Sequence, residues 1–347
     1  MRQRIFIWII VAVFVSCQPH RTYFPKNVKP AEVNIVRFDK DLLAADTPAD
    51  SILNNVRCLY NSYPAFMPFF CENIMGIPAA DTLSVCEALP DFLNDTLYGF
   101  KETNERVKVL YADIDDLMQE LETAFGRLKW LYPQAEVPEL TFLVSGFNAS
   151  LFFWEPIEET SGMEQKLRIG VGLDMYLGSD YALYDKVVWN YQKQTMRKES
   201  IAGDVVSACL FRMLPYTSDK SRLLENMLYR GKIMYLLSLL LPEEEEYAIM
   251  GYTQEQWQWL KRNERAIWQL MIDRRDLFKT EGTVLTSYLD DGPFTAEISQ
   301  DAPPRIGTWI GWRIAESYMQ HNEGVSLQQL MAEADAQKIL EYSYYRP

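Results

Sequence analysis

The sequence is poor in histidine. Among 347 residues there are only two, His20 and His321, which lie some 300 positions apart. Zinc sites built on histidine and Ser/His or Cys/His catalytic groups need imidazoles near their partners, so the sequence predicts neither. Basic residues are also few, with 34 Lys and Arg against 48 Asp and Glu, a net charge of −14. A broad phosphate-binding surface needs clustered cations, and we therefore expect no nucleic-acid partner.

Cysteine is scarce as well, with five in the chain. None of their spacings is C-x-x-C, so structural zinc is not supported. Four of them, Cys58, Cys71, Cys86 and Cys209, allow three disulfide pairings in an oxidising compartment, and the spacings do not choose among these. Cys209 lies in an apolar stretch and is expected in the core.

A membrane-length apolar run is missing too. The run from Ile5 to Val15 has eleven apolar residues, follows two arginines, and ends at Ser16-Cys17. As a helix it spans roughly 16 Å, about half of a ~30 Å hydrocarbon core, which favours a signal peptide over a permanent span. A small residue directly before a cysteine resembles the bacterial lipoprotein box. This resemblance implies that residues 1–16 are removed and that Cys17 carries lipid; the alternative is an ordinary secretory signal or a short uncleaved anchor.

Residues 17–30 contain three prolines and no apolar periodicity, which predicts an extended tether between the lipid and the domain. Surface-exported lipoproteins of the Bacteroidota usually carry acidic residues just after the cysteine, and Gln18-Pro19-His20-Arg21 has none. We therefore expect the periplasmic face, on the outer membrane rather than the inner one. The membrane is then reached through the lipid on Cys17.

From residue 31 to 347 no linker or repeat interrupts the chain, which predicts one domain. Most signals are helical, and the sequence predicts helices over 51–71, 106–130, 200–214, 221–241, 253–278, 309–321 and 326–342. Thr253 and Ser326 each begin a capping box. Three short runs at 141–144, 150–154 and 167–171 are rich in β-branched and aromatic residues and predict strands. The expected fold is α+β, mostly helical around a small sheet.

Six stretches carry a family resemblance. They are Gly172–Tyr181 (GLDMYLGSDY), Asn226–Lys232 (NMLYRGK), Gly251-Tyr252-Thr253 with Trp257, Asn263-Glu264 with Ile267-Trp268, Pro303–Trp312 (PPRIGTWIGW) and Ile339–Pro347 (ILEYSYYRP). In their order and spacing they resemble the gliding-motility lipoprotein GldB family of the Bacteroidota, and the similarity extends over the whole mature chain. The resemblance implies a periplasm-facing lipoprotein needed for gliding and linked to type IX protein secretion, with envelope proteins as its partners.

A more distant resemblance is to predicted zinc peptidases, whose active helix carries His-Glu-x-x-His. Two histidines four residues apart face one way on a helix and can share a zinc ion. By similarity of context, Gly203, Ser207 and Arg230 occupy the three ligand positions, and none of them ligates zinc. The resemblance implies a zincin-like scaffold without the zinc site. We therefore expect no enzyme activity, no metal and no cofactor.

The sequence also offers candidate binding residues. Arg305, Trp309 and Trp312 combine a proline-rich turn with large apolar side chains and are expected to face a partner protein. Asp174 and Asp180 are candidates for a binding lip, although a plain loop with capping aspartates is the simpler interpretation.

Two other functions stay open. A hydrolase can use paired carboxylates without histidine. A carbohydrate-binding lipoprotein would expose tryptophans such as Trp154 and Trp309.

Overall fold

The computed structural model describes residues 22–45, 51–157 and 166–347. Within them it is an α+β fold, mostly helical, as the sequence predicts. The strands are β1 (Ile35–Val36), β2 (Glu139–Leu143), β3 (Leu151–Phe153) and β4 (Arg168–Gly172). The helices are α1 (Phe38–Ala44), α2 (Ile52–Ser62), α3 (Phe66–Phe69), α4 (Thr82–Asn94), α5 (Phe100–Leu110), α6 (Asp115–Leu131), α7 (Tyr184–Val187), α8 (Ser200–Met213), α9 (Leu223–Leu240), α10 (Glu246–Ile249), α11 (Gln254–Asp273), α12 (Gly282–Leu289), α13 (Ile306–His321), α14 (Leu327–Ala332) and α15 (Ala336–Ser343).

The sheet has the order β1-β2-β4-β3. β1 pairs parallel with β2, β2 pairs parallel with β4, and β3 closes the edge antiparallel to β4. Gly170 of β4 lets the Phe152 ring lie flat on the strand, because a Cβ there would sit 2.3 Å from that ring. The three predicted strands are confirmed within two residues. β1 was not predicted, because a strand of two residues shows no alternation of apolar and polar residues.

The centre of the helical half is the crossing of α9 and α13. Both helices are buried along most of their length, and they touch through Gly231 and Gly311. A Cβ on either glycine would collide with backbone of the other helix. Glycine therefore sets the distance between the two central helices.

Three predicted helices, over 200–214, 221–241 and 309–321, match α8, α9 and α13, although α13 starts three residues early. Both capping boxes are present, at Thr253 and Ser326. The single helix predicted over 106–130 is wrong, because α5 ends at Leu110 and α6 begins at Asp115. The Asp113 carboxylate accepts the backbone N–H of Asp115, the first residue of α6, at 2.8 Å.

Two other predicted helices are also divided. The helix over 51–71 breaks at Tyr63, which precedes Pro64, since proline disfavours helix at the residue before it. The helix over 326–342 breaks between α14 and α15, where the Asp335 carboxylate accepts two backbone N–H groups and caps α15. The helix over 253–278 ends at Asp273, and Arg275 follows in the left-handed region.

The N-terminal segment packs on the domain, contrary to the predicted tether that ran to residue 30. The hydroxyls of Tyr23 and Tyr235 are 2.8 Å apart, and the Phe24 ring meets the Trp130 ring edge-on. Farther along, Ala31 N–H donates to the Glu122 carbonyl at 2.9 Å. The predicted signal peptide and the lipidated Cys17 lie outside the described residues.

Two further features are the membrane-crossing potential of the helices and the state of the cysteines. Among the residues that the structure describes, no helix combines the length and the apolar character that crossing a membrane needs. The four cysteines that it describes are free thiols, and Cys209 is buried, as the sequence predicts.

Candidate functional site

The exposed face of α8 presents a carboxylate next to Gly203. Asp204 is accessible to water, and its Oδ2 accepts a hydrogen bond of 2.8 Å from the Tyr176 hydroxyl. Packing of neighbouring protein around this carboxyl reduces its hydration, which raises the pKa of Asp204 to about 6. The Tyr176 hydrogen bond and the Arg305 charge oppose that rise, while the Asp291 charge adds to it.

A set of buried hydroxyls holds Tyr176 in place. The Tyr111 hydroxyl donates to the Tyr176 carbonyl at 2.6 Å. The Tyr184 hydroxyl donates to the Asp174 carbonyl and accepts the Leu177 N–H, both at 2.8 Å. The segment after β4 is therefore fixed on both sides of Tyr176. Because the backbone is held there, the Tyr176 side chain is directed toward Asp204.

Arg305 is near enough to Asp204 for its charge to act on that carboxyl. It precedes α13 in the left-handed region, with φ 56°. Its Nε lies 2.9 Å from Asp291 Oδ1, its Nη2 donates to the Met250 carbonyl, and its guanidinium lies over the Tyr252 ring. Gly251 makes room, because a Cβ there would lie 2.7 Å from Arg305 Nη2. The cation is thus fixed with part of its surface accessible.

A second arginine binds the same loop. Arg230 Nη1 donates to the Leu289 carbonyl at 2.7 Å and pairs with Asp290 Oδ1 at 2.9 Å. Arg230 and Arg305 together hold residues 289–291 through two ion pairs. We call the group of Tyr176, Asp204, Asp291 and Arg305 the Asp204 cleft.

The three positions that resemble zinc-ligand positions are placed as follows. Gly203 and Ser207 are partly exposed on α8, one turn apart, and Arg230 is engaged with Leu289 and Asp290. A guanidinium has no lone pair to offer a metal. Within residues 22–45, 51–157 and 166–347, no group of three or more His, Cys, Asp or Glu side chains is arranged to hold a metal ion.

Asp174 is not part of a binding lip, because it is buried. Its carboxylate accepts the N–H of Ser145 at 2.7 Å, the Ser145 hydroxyl at 3.1 Å and the N–H of Phe147 at 2.6 Å. Burial raises the pKa of this carboxyl, and the three hydrogen bonds oppose the rise. Asp174 therefore shapes the loop after β2, in which Phe147 is left-handed, while Asp180 is exposed.

The predicted tryptophan surface does not exist. Trp309 is fully buried, Trp312 is 2% exposed, and both rings contact Trp257. The prediction that these two side chains face a partner is wrong, because both lie on the part of α13 that packs into the core. Trp154 is buried as well, so the sugar platform of Trp154 and Trp309 is also wrong. Of Arg305, Trp309 and Trp312, only Arg305 reaches solvent.

A second concavity lies between α9, α14 and α15. It has a volume of about 270 Å³ and contains Lys232, whose ammonium donates to the carbonyls of Leu330, Met331 and Glu333 at the end of α14. Burial lowers the pKa of Lys232 to about 8. Since all three donors serve the helix end, this lysine stabilises α14 and is not a site for a ligand.

Sequence reasoning missed Tyr176, Asp204 and Asp291 as site residues. A signal existed for Asp204, because it is the single carboxylate in the mostly apolar α8. Tyr176 and Asp291 gave none, since they reach the cleft from segments far apart in the chain. Chemically, the cleft offers a carboxyl that titrates near neutral pH beside a fixed cation, a pattern found at binding and catalytic sites.

Comparison with known proteins gives one match. A model of the family described as gliding motility protein GldB matches residues 23–347, nearly the whole chain. No curated protein and no solved structure matches significantly.

Proposed function

The chain belongs to the gliding motility protein GldB family, and from this premise we propose that it is a lipid-anchored, periplasm-facing assembly component of the motility and type IX secretion machinery. In this proposal it binds envelope proteins and does not turn over a substrate. The observation that carries it is the family match, which begins at residue 23, six positions after the cysteine that resembles a lipoprotein attachment site.

The side chains of the cleft support binding over hydrolysis. Where the zinc peptidases it resembles are expected to place a metal ligand, this chain has Arg230, and its guanidinium is used to hold a loop. Arg305 is used in the same way. Both guanidiniums hold residues 289–291, and Arg305 keeps part of its surface accessible, so these side chains offer a fixed charged surface to a partner.

We place the partner contact at the Asp204 cleft in place of the buried tryptophans. Asp204 and Arg305 present opposite charges to solvent from fixed positions, on α8 and before α13. Complementary charges across an interface give specificity and register more than affinity. A segment of a protein partner with an acidic and a basic group at matching spacing would satisfy both.

The experiment is deletion of the gene in its own bacterium, followed by complementation. Cells are scored for colony spreading and for secretion of type IX cargo, with the wild-type chain, Cys17→Ser, and the double variant Asp204→Asn with Arg305→Gln. We expect Cys17→Ser to lose membrane fractionation and function, and the double variant to lose function while still fractionating with membranes. Asp180→Asn, an exposed change outside the cleft, is the matched control. Intact spreading and secretion after deletion would refute the proposal.

One observation favours a second function, a carboxylate hydrolase. Asp204 is accessible, has its pKa raised to about 6, and lies near a second carboxylate, Asp291. General acids in glycoside hydrolases have pKa values raised in this way. Release of reducing sugar from envelope polysaccharide by the purified domain, abolished by Asp204→Asn, would support this alternative; no release would leave the assembly role.

A further inference from the structure

We propose that one face of the domain rests against the lipid headgroups of the membrane that anchors it. This anchor-side face is made of Phe24, Lys26, Lys29, Lys129 and Trp130. The inference rests on the proposed lipid at Cys17 and adds to it an orientation, because it says which side of the domain the membrane contacts.

The first step rests on the number of residues between Cys17 and Tyr23. Tyr23 is fixed by its hydroxyl contact of 2.8 Å with Tyr235. Six residues from Cys17 to Tyr23 span at most about 20 Å when fully extended. A domain of this size has a diameter of roughly 50 Å. The domain therefore cannot turn its far side to the bilayer, and the surface around Tyr23 and Phe24 stays close to it.

The aromatic residues of this face carry the second step. Trp130, at the end of α6, is 48% exposed, and the Phe24 ring meets it edge-on with centroids 5.8 Å apart. The Arg127 guanidinium lies over the Phe24 ring, 5.4 Å from its centroid. Tryptophan favours the headgroup region of a bilayer, where its apolar body and its N–H are both satisfied.

The charge of the face carries the third step. Lys26, Lys29 and Lys129 are all exposed, on a chain whose net charge is −14. Anionic headgroups attract such a local group of lysines within a Debye length. A surface groove contains Lys29, Lys129 and Trp130 together with Glu32 and Glu136. Because of these two carboxylates, the attraction orients the domain and the lipid supplies the attachment.

The test uses the full lipidated chain in vesicles of phosphatidylethanolamine and phosphatidylglycerol that contain a lipid with a nitroxide headgroup. A bimane label is attached at Trp130→Cys or, as the matched control, at Leu83→Cys of α4, in a background of Cys58→Ser and Cys86→Ser. Leu83 is 71% exposed, and α4 packs on α2 and α5. Cys71 and Cys209 are buried and do not take the label.

We expect quenching at position 130 to exceed quenching at position 83 several-fold. Exchange of Lys26, Lys29 and Lys129 for Gln should reduce that excess. Equal quenching at both positions, in protein that floats with the vesicles, would overturn the orientation and leave the lipid anchor intact. Protein that does not float with the vesicles would overturn the anchor and the orientation together.

Discussion

Gly231 of α9 and Gly311 of α13 meet backbone to backbone. A Cβ on Gly231 would lie 2.1 Å from the carbonyl carbon of Gly311, and one on Gly311 would lie 1.9 Å from the Met227 carbonyl oxygen. These distances are below any that a real Cβ adopts, so the two helices can cross here only as long as both residues lack a side chain.

We expect Gly231→Ala and Gly311→Ala each to lower the free energy of unfolding by about 2–4 kcal/mol, since backbone cannot move aside as a side chain can. Gly203→Ala in α8 is the control, because a Cβ there meets only Leu241 Cδ1 at 4.0 Å. That change should stabilise the helix by about 0.5–1 kcal/mol. Urea unfolding followed by circular dichroism measures all three, and equal effects at the three glycines would contradict the close crossing.

The buried aspartate after β4 gives a second prediction. Asp174→Asn should lower the free energy of unfolding by about 2–4 kcal/mol, because an amide NH₂ would replace one of the oxygens that accept from Ser145 and Phe147. Asp180→Asn, exposed in the same segment, should change it by less than about 0.5 kcal/mol. Thermal unfolding of the pair separates a structural aspartate from a surface one.

The two tryptophans of α13 give a third prediction. Trp309→Ala and Trp312→Ala should each cost about 3–5 kcal/mol of unfolding free energy, because both rings fill the core. Trp189→Ala, at a position 73% exposed, should cost little. Loss of a partner in the first two variants would therefore report unfolding, and a variant that keeps wild-type stability would contradict the burial.

The fourth prediction concerns Glu120, whose pKa is raised to about 7 by burial and by the neighbouring carboxylate of Glu244. The folded state favours the protonated form. The protonated Glu120 carboxyl therefore makes its full contribution to the stability of the folded state below pH 4.5, and this contribution is lost as the pH rises through 7.

Glu120→Gln should remove that loss, and the variant should be more stable than wild type at pH 8 by on the order of 1–3 kcal/mol, with a smaller difference at pH 5. Glu243→Gln, exposed in the same loop as Glu244, is the control. Urea midpoints at the two pH values provide the measurement. A gain in stability that is the same at pH 5 and pH 8 would contradict the raised pKa of Glu120.

The fifth prediction tests the geometry of the Asp204 cleft. The Tyr176 hydroxyl stabilises the charged form of Asp204, so Tyr176→Phe should raise the pKa of Asp204 above its value of about 6. Titration of the carboxyl carbon by NMR measures this directly. Tyr181→Phe, whose hydroxyl contacts Thr103, should leave that titration unchanged.

The sequence was informative where a signal is local. The apolar periodicity of α8 and α9 and the capping boxes at Thr253 and Ser326 depend on neighbours within one or two turns, and they were predicted correctly. The breaks at residues 111–114 and 333–335 were missed, because hydrophobic periodicity continues across them. Only short-range hydrogen bonds of the Asp113 and Asp335 carboxylates to nearby backbone N–H groups mark them.

The site could not be assembled from the sequence for a different reason. Trp309 and Trp312 were predicted at the surface because proline and arginine precede them. Which face of α13 contacts the core, however, depends on where α9 lies. Asp204, Asp291 and Arg305 meet only after residues some 100 positions apart are folded together. Burial and long-range charge pairing are properties of the packed chain, which no local pattern records.

The pairing of β1 with β2 also sets an order of events during folding. Asn34 and Glu139, whose side chains are joined by a hydrogen bond of 2.9 Å, are 105 positions apart. Closing a loop of this length costs chain entropy before the contact can form and stabilise the fold, so such pairings form late. In a chain exported and lipidated as proposed above, α6 and β2 would fold first and the N-terminal segment would pack onto them last. That packing step would shorten the link between the lipid and the domain and so bring the domain to the bilayer.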